Sequence, residues 1–459
     1  MLEKKIREKL SKIVGDKYLK EAEETKGYAV DDLVPQAVLF PGTAEEVERI
    51  VILALEEGMS VVPWGGGTQM DLGAPPKRVD LVLCLNRLDR VLDQDYENMT
   101  FTAEAGIRLG TVQEKLRQLG RGFFLPLDPP CAKEVTLGGA LATNASGPKR
   151  LRYGTLRDLV LGVEVVIPEE MEAGCKICAG GKTVKNVSGY DMDKLYIGSL
   201  GTLAIIVEVT CKILPVPEDR ATVVGGFTQT EAPWACTQTL LESQLIPSCI
   251  EVFNREASSL LPLHTNSSVG NEVWAAVGFE GNKEAVEREV AEVEKLMRSE
   301  GAKDIQALRG ADEDNFWEKF GRLGLEVRTK KAWSIGIKAS VPISMAQKIS
   351  MAMEEEAKRF ALSFYHFAHA GNGIVYSYIP LDEGLYGEKE EKLAQMVSVL
   401  RKQAEEMEGS LVVKHAPAAF KQRIDVWGEI GGMFPIMERL KREFDPKGIL
   451  NPGRFVGGI

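Results

Sequence analysis

The chain has 459 residues, of which 44% are hydrophobic and 27% charged, and a formal net charge of −11 at pH 7. That length exceeds one ordinary core, so two or three domains are expected, with the composition of a soluble globular protein. The acidic balance argues against a nucleic-acid binder, and no apolar run reaches the roughly 20 residues of a membrane span.

Residues 1–35 read as a helical arm whose charged start, MLEKKIREKLSKIVGDKYLKEAEE, lacks the apolar stretch of a secretory signal. Next come a strand (AVLF), the turn PGT, a helix (AEEVERIVILALEEG) and a second strand (SVVP). Thr43 is placed to cap that helix and Gly58 to stop it. The second strand runs into a tight loop, Pro63-Trp64-Gly65-Gly66-Gly67-Thr68-Gln69. No Lys-Ser/Thr follows at the spacing of a Walker loop, and the pattern is not G-x-G-x-x-G. Strands VDLVLCL and TFTAEAGI and the helix LGTVQEKLRQLG lead to a second glycine-rich block, TLGGALATNASGPKRLRYGTLRD at 136–158. A third block, GKTVKNVSGYDMDKLYIGSLGTLAIIV, fills 181–207. Three such blocks beside β-branched runs let the backbone approach a long, diphosphate-bearing ligand through main-chain N–H groups.

Cys175 and Cys178 form the lone C-x-x-C among seven scattered cysteines. Without a second pair for zinc or a βαβ redox context they read as ordinary thiols of a reducing, cytoplasmic setting. Residues 36–217 therefore read as one α+β domain. From 218 to 410, strands TVVGGF, CIEVF, VWAAVGFE, SIGIKASVP and GIVYSYIP alternate with charged helices, the pattern of an antiparallel sheet with helices on one face. The tail from about 385 reads as helical. The segment 411–459 ends in FDPKGILNPGRF, whose prolines and glycines give a fixed irregular structure.

The order of glycine loop, P-x-D-P, T-x-G-G, S-G-P-x-x-x-x-Y-G, K-x-V-x-G-Y-D and G-S-x-G-T-L resembles the FAD-binding domain of the vanillyl-alcohol oxidase type of flavoproteins. Within that superfamily it is most similar to the FAD-binding subunits of glycolate oxidase and D-lactate dehydrogenase. The resemblance implies a two-domain α+β fold, an N-terminal FAD domain with an antiparallel-sheet cap, to which the 411–459 segment returns. It implies that Pro63, Gly65, Gly66, Gly67, Thr68 and Gln69 hold the FAD diphosphate. Pro126, Thr136, Gly138, Gly139, Asn144, Gly147, Tyr153 and Gly154 would line the adenosine and flavin path. Gly201, Ile206 and Val207 would lie along the cofactor, and Asn451 would approach the flavin. Some members tether FAD through a histidine of this domain. The four histidines here (264, 366, 369 and 415) all lie later, so dissociable FAD is expected.

The related 2-hydroxy-acid dehydrogenases carry H-A-G-D-G-N-x-H and E-H-G, which supply two metal-ligating histidines, a metal-ligating glutamate and a histidine base. The corresponding residues here run His369-Ala370-Gly371-Asn372-Gly373-Ile374-Val375-Tyr376 and Lys414-His415-Ala416. Tyr376 and Lys414 take the place of two ligands, and an ammonium repels a divalent cation, so no metal is expected. Leu200 likewise replaces the glutamate of the family's S-E-G-T. The resemblance thus implies oxidation of a small 2-hydroxy acid, with His415 as base and His369 and Lys414 in the substrate pocket. Arg328, Lys331 and Lys338 are further cations near a strand, able to meet a carboxylate or to stay solvated. Loss of the metal set is similar to the second, metal-less FAD subunit of glycolate oxidase complexes. Such a subunit works beside a catalytic flavin subunit and an iron–sulfur subunit, in the cytoplasm or at the inner face of the membrane. A non-catalytic relay role is the alternative.

Overall fold

Short apolar runs separated by well-capped helices assemble into two compact units. A computed structural model describes residues 2–120, 122–169, 175–183, 189–263, 270–330, 333–381 and 386–459. His264, Lys331 and the 184–188 part of the third glycine block lie outside them. The first unit comprises residues 1–145, 155–216 and 429–459, and the second 146–154 and 217–428. Residues 411–428, grouped above with the returning tail, thus lie in the second unit, as does the short 146–154 insert.

In the first unit a four-stranded sheet has the order Leu19–Glu21, Ala37–Leu39, Leu81–Cys84, Val61–Trp64. Its last three strands are parallel, and the helix Ala44–Glu56 makes the crossover that parallel neighbours require. Thr43 caps this helix by accepting from Glu46 N–H at 3.2 Å, while the Glu46 carboxylate accepts from Gly42 N–H at 2.7 Å. These reciprocal bonds satisfy donors that a helix start leaves open. Five antiparallel strands form the second sheet: Val91–Asp95, Thr100–Glu104, Ile205–Lys212, Val160–Val166 and Lys176–Gly180. One apolar core, including Leu81, Phe101, Leu141 and Val165, serves both sheets.

The chain's end completes this unit. Val61 N–H donates to the Ile449 carbonyl at 2.8 Å, and Asn451 N–H donates to the Val61 carbonyl at 2.9 Å. Residue 450 thereby pairs in parallel beyond the Val61 strand. Buried Lys441, on the helix Phe434–Phe444, donates to the Asp445 carboxylate at 2.6 Å and to the carbonyls of Thr202 and Leu450 at 2.7 and 3.0 Å. Asp445 in turn accepts from the N–H groups of Ile449 and Leu450.

The second unit is built on an eight-stranded antiparallel sheet, ordered Asp304–Leu308, Asp219–Phe227, Val273–Gly281, Cys249–Asn254, Tyr365–His369, Ile374–Leu381, Trp333–Ser340, Ser410–His415. The last of these strands lies where the sequence reads as helical tail. Helices also pack on both faces rather than one. Ser350, on the helix Ala346–Arg359, meets His366, whereas Phe316 and Phe320 of Gly310–Gly321 pack on Phe253 and Phe367 from the other side. Phe253 and Phe367 are cross-strand partners, so an aromatic stripe needs its own cover there. All seven cysteines are free; Cys175 is buried and Cys178 exposed. Among the described residues no helix is long and apolar enough to cross a membrane.

Lys441→Met leaves Asp445 without its cation in a buried setting, an expected loss of about 3 kcal/mol. Urea unfolding checks this, and the variant should also retain its pocket ligand less well because residues 450–454 come loose.

Candidate functional site

In the first unit, the loop after the Val61–Trp64 strand and the start of the helix Leu137–Ala142 face one cleft of about 770 Å³. Its lining includes Pro63, Gly65, Gly66, Gly67, Thr68 and Gln69. Thr136, Gly138, Gly139, Gly201, Ile206 and Asn451 complete the expected part of the wall, and Leu200 and Arg454 add to it. A Cβ on Gly66 would sit 2.3 Å from the Glu134 carbonyl oxygen, so only glycine lets the loop lie this close to the 134–136 backbone. Gly201 has φ +67° and rests on the Pro63 ring.

Polar groups organise the rim. Asn451 Nδ2 donates to the Leu200 carbonyl at 2.6 Å and holds Leu200 at φ +53°, a conformation rare for leucine. Buried Arg454 donates to the carbonyls of Met70 and Leu72 at 2.5 and 2.6 Å, fixing the far side of the glycine loop. Gln69 Nε2 is buried with no hydrogen-bond partner among the described residues. A buried donor of this kind is costly unless a ligand accepts from it.

The other expected residues fall elsewhere. Pro126, Asn144 and Val207 belong to the first unit but not to this lining, and the Val207 carbonyl accepts from Ala105 N–H at 2.9 Å. Gly147, Tyr153 and Gly154 belong to the second unit. There Tyr153 Oη donates to Glu280 at 2.7 Å, and Lys149 and Arg152 also bind Glu280, through its carboxylate and its carbonyl.

The second unit gathers a distinct set of charges on one side of its sheet. Cross-strand partners share a face, and the register aligns Glu251 with His369, Phe367 with Tyr376, and Tyr376 with Lys338. On the edge strand, Ile337 faces Val413 but Gly336 faces His415, so Lys414 is the extra residue of a β-bulge. Bulges bend a strand and re-aim its side chains. Here Lys414 Nζ comes 5.9 Å from the Tyr376 ring centre, while His415 lies over Gly336 beside Tyr378. His415 Nε2 bonds Ser334 Oγ at 3.0 Å.

His369 Nδ1 lies 2.8 Å from both oxygens of fully buried Glu251. Burial, then the cations Arg150, Lys338 and Lys414, push the His369 pKa down. The ring is therefore neutral, with Nδ1–H donated to Glu251 and the lone pair on Nε2. Burial raises the Tyr376 phenol, which stays protonated. Half-buried Lys338 is lowered to about 7 by burial, and further by Lys414 and Arg150.

Residues 35–175 match the family described as the FAD binding domain, and residues 216–455 the C-terminal domain of the FAD linked oxidases. The chain belongs to the FAD-linked oxidases. It is 29% identical over 429 residues to the glycolate oxidase subunit GlcD of Bacillus subtilis, covering 92% of this chain and 89% of that one. It is 29% identical over 426 residues to a D-lactate dehydrogenase of Archaeoglobus fulgidus, covering 91% of each. Among solved structures, p-cresol methylhydroxylase shares the fold, with a TM-score of 0.75 at 16% identity over 98% of this chain and 96% of that one.

This FAD-linked oxidase thus takes FAD as its cofactor, and the first unit's cleft fits it. The glycine loop offers main-chain donors without intervening side chains, and Gln69 Nε2 lacks an acceptor. The metal set of related dehydrogenases does not fit. Among the described residues no three His, Cys, Asp or Glu side chains are grouped to hold an ion, and Lys414 brings a positive charge to the neighbourhood of His369. Sequence reasoning missed Glu251, Arg150, Ser334 and Arg454. A signal existed for Glu251, a lone carboxylate inside the apolar strand CIEVF. Arg328 lies on the helix Leu323–Lys330 rather than on the sheet.

Gly66→Ala is expected to abolish FAD retention, seen as loss of visible flavin absorbance after gel filtration with an unchanged far-ultraviolet spectrum. Lys338→Met tests the charge cluster. A lysine that titrates at about 7 when folded and 10.5 when unfolded binds fewer protons in the folded chain between those values, so its cost grows as pH falls through that window. The substitution should raise the thermal midpoint most below pH 7, with the gain shrinking as pH rises from 7 to 10.5 and gone above that.

Proposed function

We propose that this flavoprotein dehydrogenates a small 2-hydroxy acid such as glycolate or D-lactate. FAD, when bound, supplies the hydride acceptor. The observation that carries the reading is the bulge that brings Lys414 and His415 to the sheet face holding the buried His369–Glu251 pair. The names of the relatives support it as well. His415, held by Ser334, takes the substrate hydroxyl proton as general base. Lys414 meets the substrate carboxylate and supplies the positive charge that a metal ion provides in related dehydrogenases. His369, its tautomer set by Glu251, lines the substrate pocket with the lone pair on Nε2.

The relative from Bacillus subtilis is a subunit by name. We accordingly infer that this chain works in a complex, with non-covalent FAD passing electrons to an iron–sulfur partner, and with a second FAD subunit alongside. The test is anaerobic mixing of the FAD-loaded protein with glycolate, D-lactate and other 2-hydroxy acids. Bleaching of the flavin is expected. His415→Ala should slow it at least about 100-fold without releasing FAD. Unchanged kinetics in that variant would remove His415 from the mechanism, and no bleaching by any 2-hydroxy acid would leave the chain a relay or structural partner.

A further inference from the structure

Gly336 stands in the middle of the Trp333–Ser340 strand, where a glycine weakens the strand and offers no side chain to pack. Its register gives the reason. It pairs with Tyr378 on one neighbouring strand and with His415 on the other, so the three form one row across the sheet. A Cβ on Gly336 would fall 2.8 Å from Tyr378 Cε1 and 3.4 Å from His415 Cβ. The space of the missing side chain is taken by the Tyr378 ring, which reaches across the strand beside the histidine.

A second glycine makes room for the same ring. Gly324, in the first turn of the helix Leu323–Lys330, would carry a Cβ 2.5 Å from Tyr378 Cζ and Oη. A side chain at either position would displace the ring. The ring also stacks on Phe367, with centres 6.1 Å apart and planes 13° from parallel. Phe367 is in turn packed against Phe320 and Tyr376 in the core. Two glycines and one aromatic stack thus fix a half-buried tyrosine, and the row shows what it is fixed against. Ser334, two residues before Gly336 on the same strand, bonds His415 Nε2 at 3.0 Å. The Tyr378 ring occupies the ground over Gly336. Without that ring the imidazole could rotate about its Cα–Cβ bond over a bare glycine.

We propose, resting on the reading of His415 as the base, that Tyr378 is a positioning residue of the reaction. Its ring, rather than its hydroxyl, keeps the imidazole at the angle from which it takes the substrate proton. Gly324 and Gly336 are glycines because the ring needs the space of their side chains. A base held in one orientation acts without the entropic cost of finding it, so the effect falls on turnover rather than on substrate binding.

The experiment joins magnetic resonance of the FAD-loaded protein, labelled at its four histidines, to flavin bleaching. The His415 signals are those missing from His415→Ala. Tyr378→Ala should move them further than those of any other histidine, and Tyr378→Phe should leave them in place. With a 2-hydroxy acid that bleaches the flavin, Tyr378→Ala and Gly336→Ala should each lower kcat about tenfold while KM stays within about twofold. The conservative Tyr378→Phe should recover the rate, and Tyr378→Ala should add less than about twofold to the loss in His415→Ala. Retained flavin absorbance and an unchanged far-ultraviolet spectrum show that each variant is folded, and Gly336→Ala carries the test should Tyr378→Ala fail to fold. Unmoved His415 signals, a Tyr378→Phe variant as slow as Tyr378→Ala, or a full second loss on top of His415→Ala overturns the proposal even if D-lactate bleaches the flavin. If no 2-hydroxy acid bleaches it, displaced His415 signals uphold the hold of the ring on the imidazole, and the 2-hydroxy-acid reading alone falls.

Discussion

A buried ion pair between Lys441 and Asp445 holds together the part of the protein that binds FAD. Its energy rests less on the two charges than on what they organise. The ammonium gathers the carbonyls of Thr202 and Leu450, and the carboxylate gathers the N–H groups of Ile449 and Leu450. Every donor and acceptor so engaged belongs to backbone that cannot be left unsatisfied in a core. The result places residues 449–451 as an extra parallel edge beside Val61, directly before the glycine loop. Asn451 and Arg454 then act on the cleft from a segment almost 400 residues away in the chain.

The cleft works through backbone rather than side chains. Its glycines allow close approach, and the strain it stores at Leu200 is held in place by Asn451. Such a site binds a ligand by shape and main-chain donors, which leaves the reaction's acid–base work to other residues. In the second unit, a sheet gathers on one face charges that sequence order keeps far apart.

That face carries charge where the related dehydrogenases carry metal ligands. Lys414 is turned by a one-residue bulge, His369 is fixed in one tautomer by Glu251, and Arg150 and Lys338 add positive charge. Protein cations can stand in for a metal where the task is to hold an anion, though they cannot gather neutral ligands as a metal does. The cost is visible at Lys338, whose ammonium is disfavoured by burial and by its neighbours.

Much of this was legible beforehand. The glycine blocks, the Thr43 cap, the long strands and the FAD cleft's wall from Pro63 to Gln69 follow from local chemistry, since a loop that must approach a ligand needs glycine whatever surrounds it. The pairing of His369 with Glu251 was not legible, because 118 residues separate them and only the register of two strands joins them. Nor was the place of Tyr153, whose hydroxyl is drawn to Glu280 by a contact of similar span. Residues 410–415 read as helical tail because a short edge strand has little pattern of its own and is stabilised by its neighbour. The sequence by itself determined the cofactor, through backbone geometry that only glycine permits. Tertiary structure alone decided which charges meet, because electrostatic partners are chosen by distance in space, and distance is set by strand register and by one bulge.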